Sequence, residues 1–99
     1  MLTIRESTAF AAWFGKLRDA RARARIARRI DRLASGNPGD VKAIGGGLCE
    51  LRIDYGPGYR VYFVYRGSSL VILLGGGDKR TQTRDIAAAK RLATELKEQ

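Results

Sequence analysis

A chain of 99 residues supports one hydrophobic core and is too short for two, and its 19 lysines and arginines against 10 acidic residues leave a net charge of +9. With no histidine, the commonest general base near neutral pH, the usual zinc ligand and every Ser-His or Cys-His pair are excluded. The single cysteine excludes an intrachain disulfide and a cysteine metal cluster.

Cys49 is expected as a small apolar core residue, and one unpaired thiol fits a reducing cytoplasm. The start, Met1-Leu2-Thr3-Ile4-Arg5-Glu6, lacks the apolar core of a signal peptide, and no apolar run approaches the roughly 20 residues of a membrane helix. A cytoplasmic protein is expected, with no membrane contact, metal or cofactor. Its field attracts polyanions, RNA first, and acidic proteins as well.

In chain order, Leu2 to Arg5 alternates apolar and polar residues and suits an edge strand. Ser7 or Thr8 can cap a helix in which Phe10, Trp13, Phe14 and Leu17 recur at helical spacing. Asp19 can cap a second, with Ile26, Ile30 and Leu33 as the apolar stripe and Arg21, Arg25, Arg28 and Arg32 on another face. Gly36-Asn37-Pro38-Gly39-Asp40 stops it, and a linker runs through Gly45-Gly46-Gly47.

From there strand periodicity takes over. Cys49, Leu51, Ile53 and Tyr55 alternate with Glu50, Arg52 and Asp54, a half-buried strand. Gly56-Pro57-Gly58 turns the chain, and Tyr59 to Tyr65 forms the next strand. After Gly67-Ser68, the wholly apolar Leu70 to Leu74 suggests a strand covered on both faces. Beyond Gly75-Gly76-Gly77-Asp78-Lys79-Arg80, Thr81 or Thr83 can cap a last helix with Ile86, Ala89, Leu92, Ala93 and Leu96 on one face. The order β-α-α-β-β-β-α implies one α+β domain over residues 1–99, an antiparallel sheet packed against helices in two layers.

Arg52 and Arg60 approach each other if the strands pair through the short turn, and two like charges side by side repel unless they share an anion. Lys79 and Arg80 lie just past the last strand, so a phosphate-sized site is expected at this end of the sheet. Pairing of each arginine with a nearby carboxylate is the structural alternative. Tyr59 and Tyr62 are candidates to stack on unpaired RNA bases, whereas Tyr55 and Tyr65 fall in the apolar register. Arg21, Arg25, Arg28 and Arg32 can track a nucleic-acid backbone, face an acidic partner or simply solubilise the helix. The triple glycine before Lys79 lacks the ending and length of a Walker loop, so a small-molecule nucleotide ligand is not expected.

Gly39-Asp40-Val41-Lys42, Gly45-Gly46-Gly47-Leu48-Cys49-Glu50-Leu51-Arg52-Ile53, Gly56-Pro57-Gly58-Tyr59-Arg60-Val61-Tyr62-Phe63 and Gly75-Gly76-Gly77-Asp78-Lys79, in this order and spacing, closely resemble the addiction module killer branch of the RelE/ParE toxin superfamily, a HigB-like group. The resemblance covers nearly the whole chain. It implies the RelE-like β-α-α-β-β-β-α fold and the toxin of a type II toxin–antitoxin system, with mRNA cleavage in the ribosome. The implied partners are the ribosome, mRNA and a cognate antitoxin, expected as a helix-turn-helix protein. It makes Arg60 the principal phosphate-contacting arginine and Arg52 and Lys79 the next catalytic candidates; Arg80, Lys42, Tyr59, Tyr62, Arg21, Arg25, Arg28 and Arg32 stand beside them as candidate RNA contacts. Cleavage would need no metal, the ribose 2′-hydroxyl attacking the adjacent phosphate. The histidine that some relatives use has no counterpart, and no C-terminal catalytic tyrosine is identifiable. The fold equally suits a ParE-like, non-enzymatic inhibitor of DNA gyrase, or a degenerate module that only binds its antitoxin or nucleic acid.

Overall fold

The computed structural model describes residues 1–97. It contains β1 (Thr3–Glu6), α1 (Thr8–Lys16), α2 (Ala20–Ala34), β2 (Val41–Gly45), β3 (Leu48–Ile53), β4 (Tyr59–Arg66), β5 (Leu70–Gly77), one 3-10 turn (Lys79–Thr81) and α3 (Gln82–Lys97). The five strands form one sheet in the order β1-β5-β4-β3-β2. The expected α+β architecture is therefore present, with one strand more than the sequence suggested.

That strand is β2, where a linker was expected. Val41 to Gly45 pairs antiparallel with β3 through a turn at Gly46 and Gly47. Both glycines have positive φ, 63° and 84°, which the tight turns that match strand twist demand and which only glycine supplies without strain. The sheet also departs from a purely antiparallel one. Strands β2 to β5 form an antiparallel meander, but β1 runs parallel to β5 from Thr3 opposite Leu70 to Glu6 opposite Leu73.

Local chemistry accounts for the helix starts. Ser7 Oγ accepts from the Phe10 amide at 3.1 Å, and Asp19 Oδ1 accepts from the Arg21 and Ala22 amides at 2.9 and 3.2 Å. The last helix starts otherwise than expected, because Asp78 caps the 3-10 turn leading into it, with its side chain on the Arg80 amide at 2.8 Å. The Thr81 hydroxyl in turn accepts from the Asp78 amide at 3.4 Å.

Each face of the sheet carries its own core. Phe10 of α1 and Ile26 and Leu33 of α2 pack with Leu51, Ile53, Val61, Phe63, Val71 and Leu73. On the other face, Leu48, Tyr62, Val64, Ile72 and Leu74 pack with Ala89, Ile86 and Leu92 of α3. Sheet and α1–α2 form the expected pair of layers, and α3 covers the side that alternation alone would leave to solvent. Two assignments change as a result. Glu50, expected on an exposed polar edge, is 2% exposed, whereas Tyr65, expected in the core, is 44% exposed at the far end of β4.

Gly75-Gly76-Gly77 is not a loose strand end but the last part of β5. A Cβ on Gly76 would run into the Trp13 ring, and one on Gly77 into the Asp85 carboxylate. These glycines let α1 and α3 close onto the end of the strand.

Candidate nucleic-acid interface

Arg52 on β3 and Arg60 on β4 are direct cross-strand partners, so both side chains leave the sheet on the same face. They open into a depression of about 250 Å³ with Lys79, and Asp40, Asp54 and Gly58 complete much of its wall. Lys79 comes from beyond β5, and its aliphatic stem lies over Gly58, where a Cβ would sit 3.1 Å from its Cγ and Cε. Gly58 has φ of 82°, so both its conformation and this close approach suit glycine.

The two arginines are held differently. Arg52 is half-buried. Arg60 is 5% exposed, and its Nη1 donates to the carbonyls of Gly58 and Tyr59, both at 3.2 Å. Its Nε lies 3.8 Å from Glu50 Oε1, an ion pair, but makes no hydrogen bond. Glu50 Oε2 accepts from Gln82 Nε2 at 2.6 Å and from the Tyr62 hydroxyl at 3.3 Å. Burial, and then the Glu50 charge, push the Tyr62 phenol well above its ordinary range.

Two guanidiniums and an ammonium share this depression with the carboxylates of Asp40 and Asp54, and a phosphate entering on the cationic side would meet charge and several N–H donors at once. Among the described residues, no group of three or more acidic or cysteine side chains could hold a metal ion, and no helix is long and apolar enough to cross a membrane.

Residues 12–98 match the family described as phage derived protein Gp49-like (DUF891). This chain belongs to the Gp49-like family. The family is toxin-like and related to toxins of the RelE and HigB type. An uncharacterized protein of Haemophilus influenzae is 52% identical over 95 residues, which cover 96% of each chain.

In this Gp49-like protein the remaining candidates are dispersed. Tyr62 is fully buried and bonded to Glu50, so its ring is not available to stack on a base, contrary to the expectation from its strand register. Tyr59 is half-buried with its ring at an angle to Trp13, centroids 6.4 Å apart. Arg80 is exposed and bound to Asp78 at 3.1 Å, a contact that holds the Asp78 carboxyl below its ordinary value. Lys42 is exposed on β2, opposite Glu50.

The arginines of α2 belong to the layer on the other face of the sheet. Arg21, Arg28 and Arg32 are exposed. Arg25 has its guanidinium 4.7 Å from the centroid of the Tyr55 ring, whose hydroxyl donates to Asp19 at 3.1 Å. Tyr55 is thus half-buried, packing against the edge of the core while it brackets α2.

Sequence patterns missed three contributors. Glu50 and Gln82 form the support under Arg60. Arg29 is the third, with Nη1 on the Arg52 carbonyl at 2.6 Å and Nη2 on the carbonyls of Pro38 and Asp40 at 2.9 and 3.2 Å. One guanidinium thereby joins α2 to the ends of two strands beside the cavity. A signal for it exists, because Ala22, Ile26, Arg29 and Leu33 share the helical spacing of the buried stripe.

Proposed function

We propose that residues 1–99 form a RelE/ParE-like toxin domain of the HigB-like branch, a cytoplasmic, ribosome-dependent mRNA endoribonuclease from a type II toxin–antitoxin pair. The observation that carries this is the convergence of Arg52, Arg60 and Lys79 on one depression of about 250 Å³. Membership of a toxin-like family supports it. An antitoxin, expected as a helix-turn-helix protein, would bind this cationic surface.

In the proposed reaction the 2′-oxygen of a ribose attacks the adjacent phosphorus and loses its proton. The bond from phosphorus to the 5′-oxygen breaks, and that oxygen takes up a proton. The products are a 2′,3′-cyclic phosphate and a 5′-hydroxyl. Arg52 and Arg60 stabilise the charge that grows on the phosphoryl oxygens, the electrostatic role of preorganised donors. Lys79 adds charge or protonates the leaving oxygen. Cationic groups are poor bases, so alignment of the mRNA by the ribosome supplies much of the rate.

Expression of the wild-type chain should arrest growth and cut mRNA in translating extracts, while Arg60→Ala and Arg52→Gln do neither. Arg52→Gln leaves the buried Glu50 pair alone and so reports on the site rather than the fold. Cleavage unchanged in both variants would overturn the mechanism. Intact mRNA accompanied by DNA breaks would replace it with gyrase inhibition, and an absence of any growth effect would leave a binding module.

A further inference from the structure

The proposed chemistry does not use Glu50, although its carboxylate is the buried acidic group of the site. It is 2% exposed, and a charge so far from water persists only when paired and hydrogen-bonded. Its oxygens are divided between two tasks. Oε2 is fixed by Gln82, the first residue of α3, and by Tyr62. Oε1 faces Arg60 Nε at 3.8 Å, while the Gly58 and Tyr59 carbonyls hold Nη1 of the same guanidinium. Arg60 is thereby held by two carbonyls at Nη1 and faces an anion, without a hydrogen bond, at Nε.

The geometry points to Glu50 as a positioning residue of this cavity, which fixes Arg60 as a rigid donor and offsets its charge, so that phosphate is favoured in the transition state rather than held tightly beforehand. The inference rests on the cavity being the RNA-cleaving site. A cation attracts the ground-state phosphate and the transition state alike, and such uniform attraction does not speed the chemical step. A donor held in place beforehand needs no reorganisation as charge develops. Glu50 reduces the first effect and provides the second. Gln82 extends the arrangement to α3, because docking of its first turn orients the carboxylate.

Glu50→Gln is the decisive variant, being nearly isosteric and able to keep hydrogen bonds to Tyr62 and Gln82 while losing the charge. Three measurements apply: kcat and KM on ribosomes carrying a defined mRNA, the affinity of a short single-stranded RNA oligonucleotide, and hydrogen exchange of the Arg60 Nε–H by NMR. The variant should bind the oligonucleotide about threefold more tightly, as one more uncancelled cation implies, with a lower KM. Its kcat should fall about 30-fold, less than the roughly 100-fold or more that loss of a whole transition-state donor costs. The Arg60 Nε–H should exchange faster. Gln82→Ala, which frees the carboxylate but leaves its charge, should lower kcat and speed Arg60 exchange by smaller amounts with oligonucleotide affinity near that of wild type, and it serves alone if Glu50→Gln does not fold.

A kcat and an affinity both within twofold of wild type would overturn the inference. So would a joint fall of kcat and affinity with Arg60 exchange unchanged. If wild-type protein cuts no mRNA, the proposed function fails, while oligonucleotide affinity and Arg60 exchange still decide whether Glu50 holds and neutralises that arginine.

Discussion

Arg52 and Arg60 stand directly opposite each other on β3 and β4, both on the side of the sheet that α3 covers. Like charges in opposed positions are destabilising by roughly 0.2–1 kcal/mol, and only Arg60 is offset by Glu50. Arg52→Gln should therefore raise the free energy of unfolding by up to about 1 kcal/mol while weakening RNA binding. Urea denaturation and oligonucleotide titration of the same preparation check both. Loss of stability together with unchanged RNA affinity would show that Arg52 is structural.

Arg29 supports Arg52 from the opposite side. Its three carbonyl acceptors lie on Arg52, Pro38 and Asp40, and a planar guanidinium meets such a set where an ammonium cannot. Gly39 gives it room, since a Cβ there would come within 3.1 Å of Nη2. Arg29→Met should cost about 1–3 kcal/mol, because two part-buried carbonyls lose a charged donor, and Arg29→Lys should recover only part of it. Equal stability of Arg29→Lys and wild type in urea would refute the bridging role.

The three glycines that end β5 should respond unequally to alanine. Nothing lies within contact distance of a Cβ at Gly75, whereas Gly76 faces Trp13 and Gly77 faces Asp85. Gly75→Ala should stay within about 0.5 kcal/mol of wild type, and Gly76→Ala should lose about 1–3 kcal/mol through overpacking against the indole. Thermal unfolding of both variants separates them, and equal melting temperatures would contradict the packing described.

The Tyr62 hydroxyl should be the last of the tyrosines to ionise. Burial first, and then the Glu50 charge, raise it above the ordinary phenol value of 10.0. The unfolded chain gives up this proton at lower pH than the folded one, so the contribution is fully present below about pH 10 and is lost as pH rises from there towards the folded value. Phenolate absorbance should show a tyrosine that titrates only with alkaline unfolding in wild type, and Tyr62→Phe should abolish that component. A smooth titration of every tyrosine before unfolding would show that Tyr62 is not enclosed.

Periodicity made α1, α2 and the meander legible, because Phe10, Ile26, Leu33, Leu51, Val61 and Phe63 bury one face of each element. It also placed Arg52 and Arg60 side by side. Alternation shows which residues share a face of a strand, but not whether another element covers that face. For this reason Glu50 and Tyr62 looked solvent-facing until α3 was in place. Strand β2 escaped notice because Lys42, Ala43 and Gly45 carry little apolar pattern, and its partner is specified by the turn rather than by burial. Tyr65 shows the converse: its register is apolar, but it lies at the end of β4, where its ring keeps only an edge contact with Phe63 at 5.4 Å.

The parallel pairing of β1 with β5 joins the first strand to the last. Contacts between such distant residues carry the largest loop-closure entropy and form late. During synthesis β1 has no partner until β5 has emerged, and Lys79 follows β5 along the chain. The depression that Lys79 shares with Arg52 and Arg60 therefore closes only after that strand has joined the sheet.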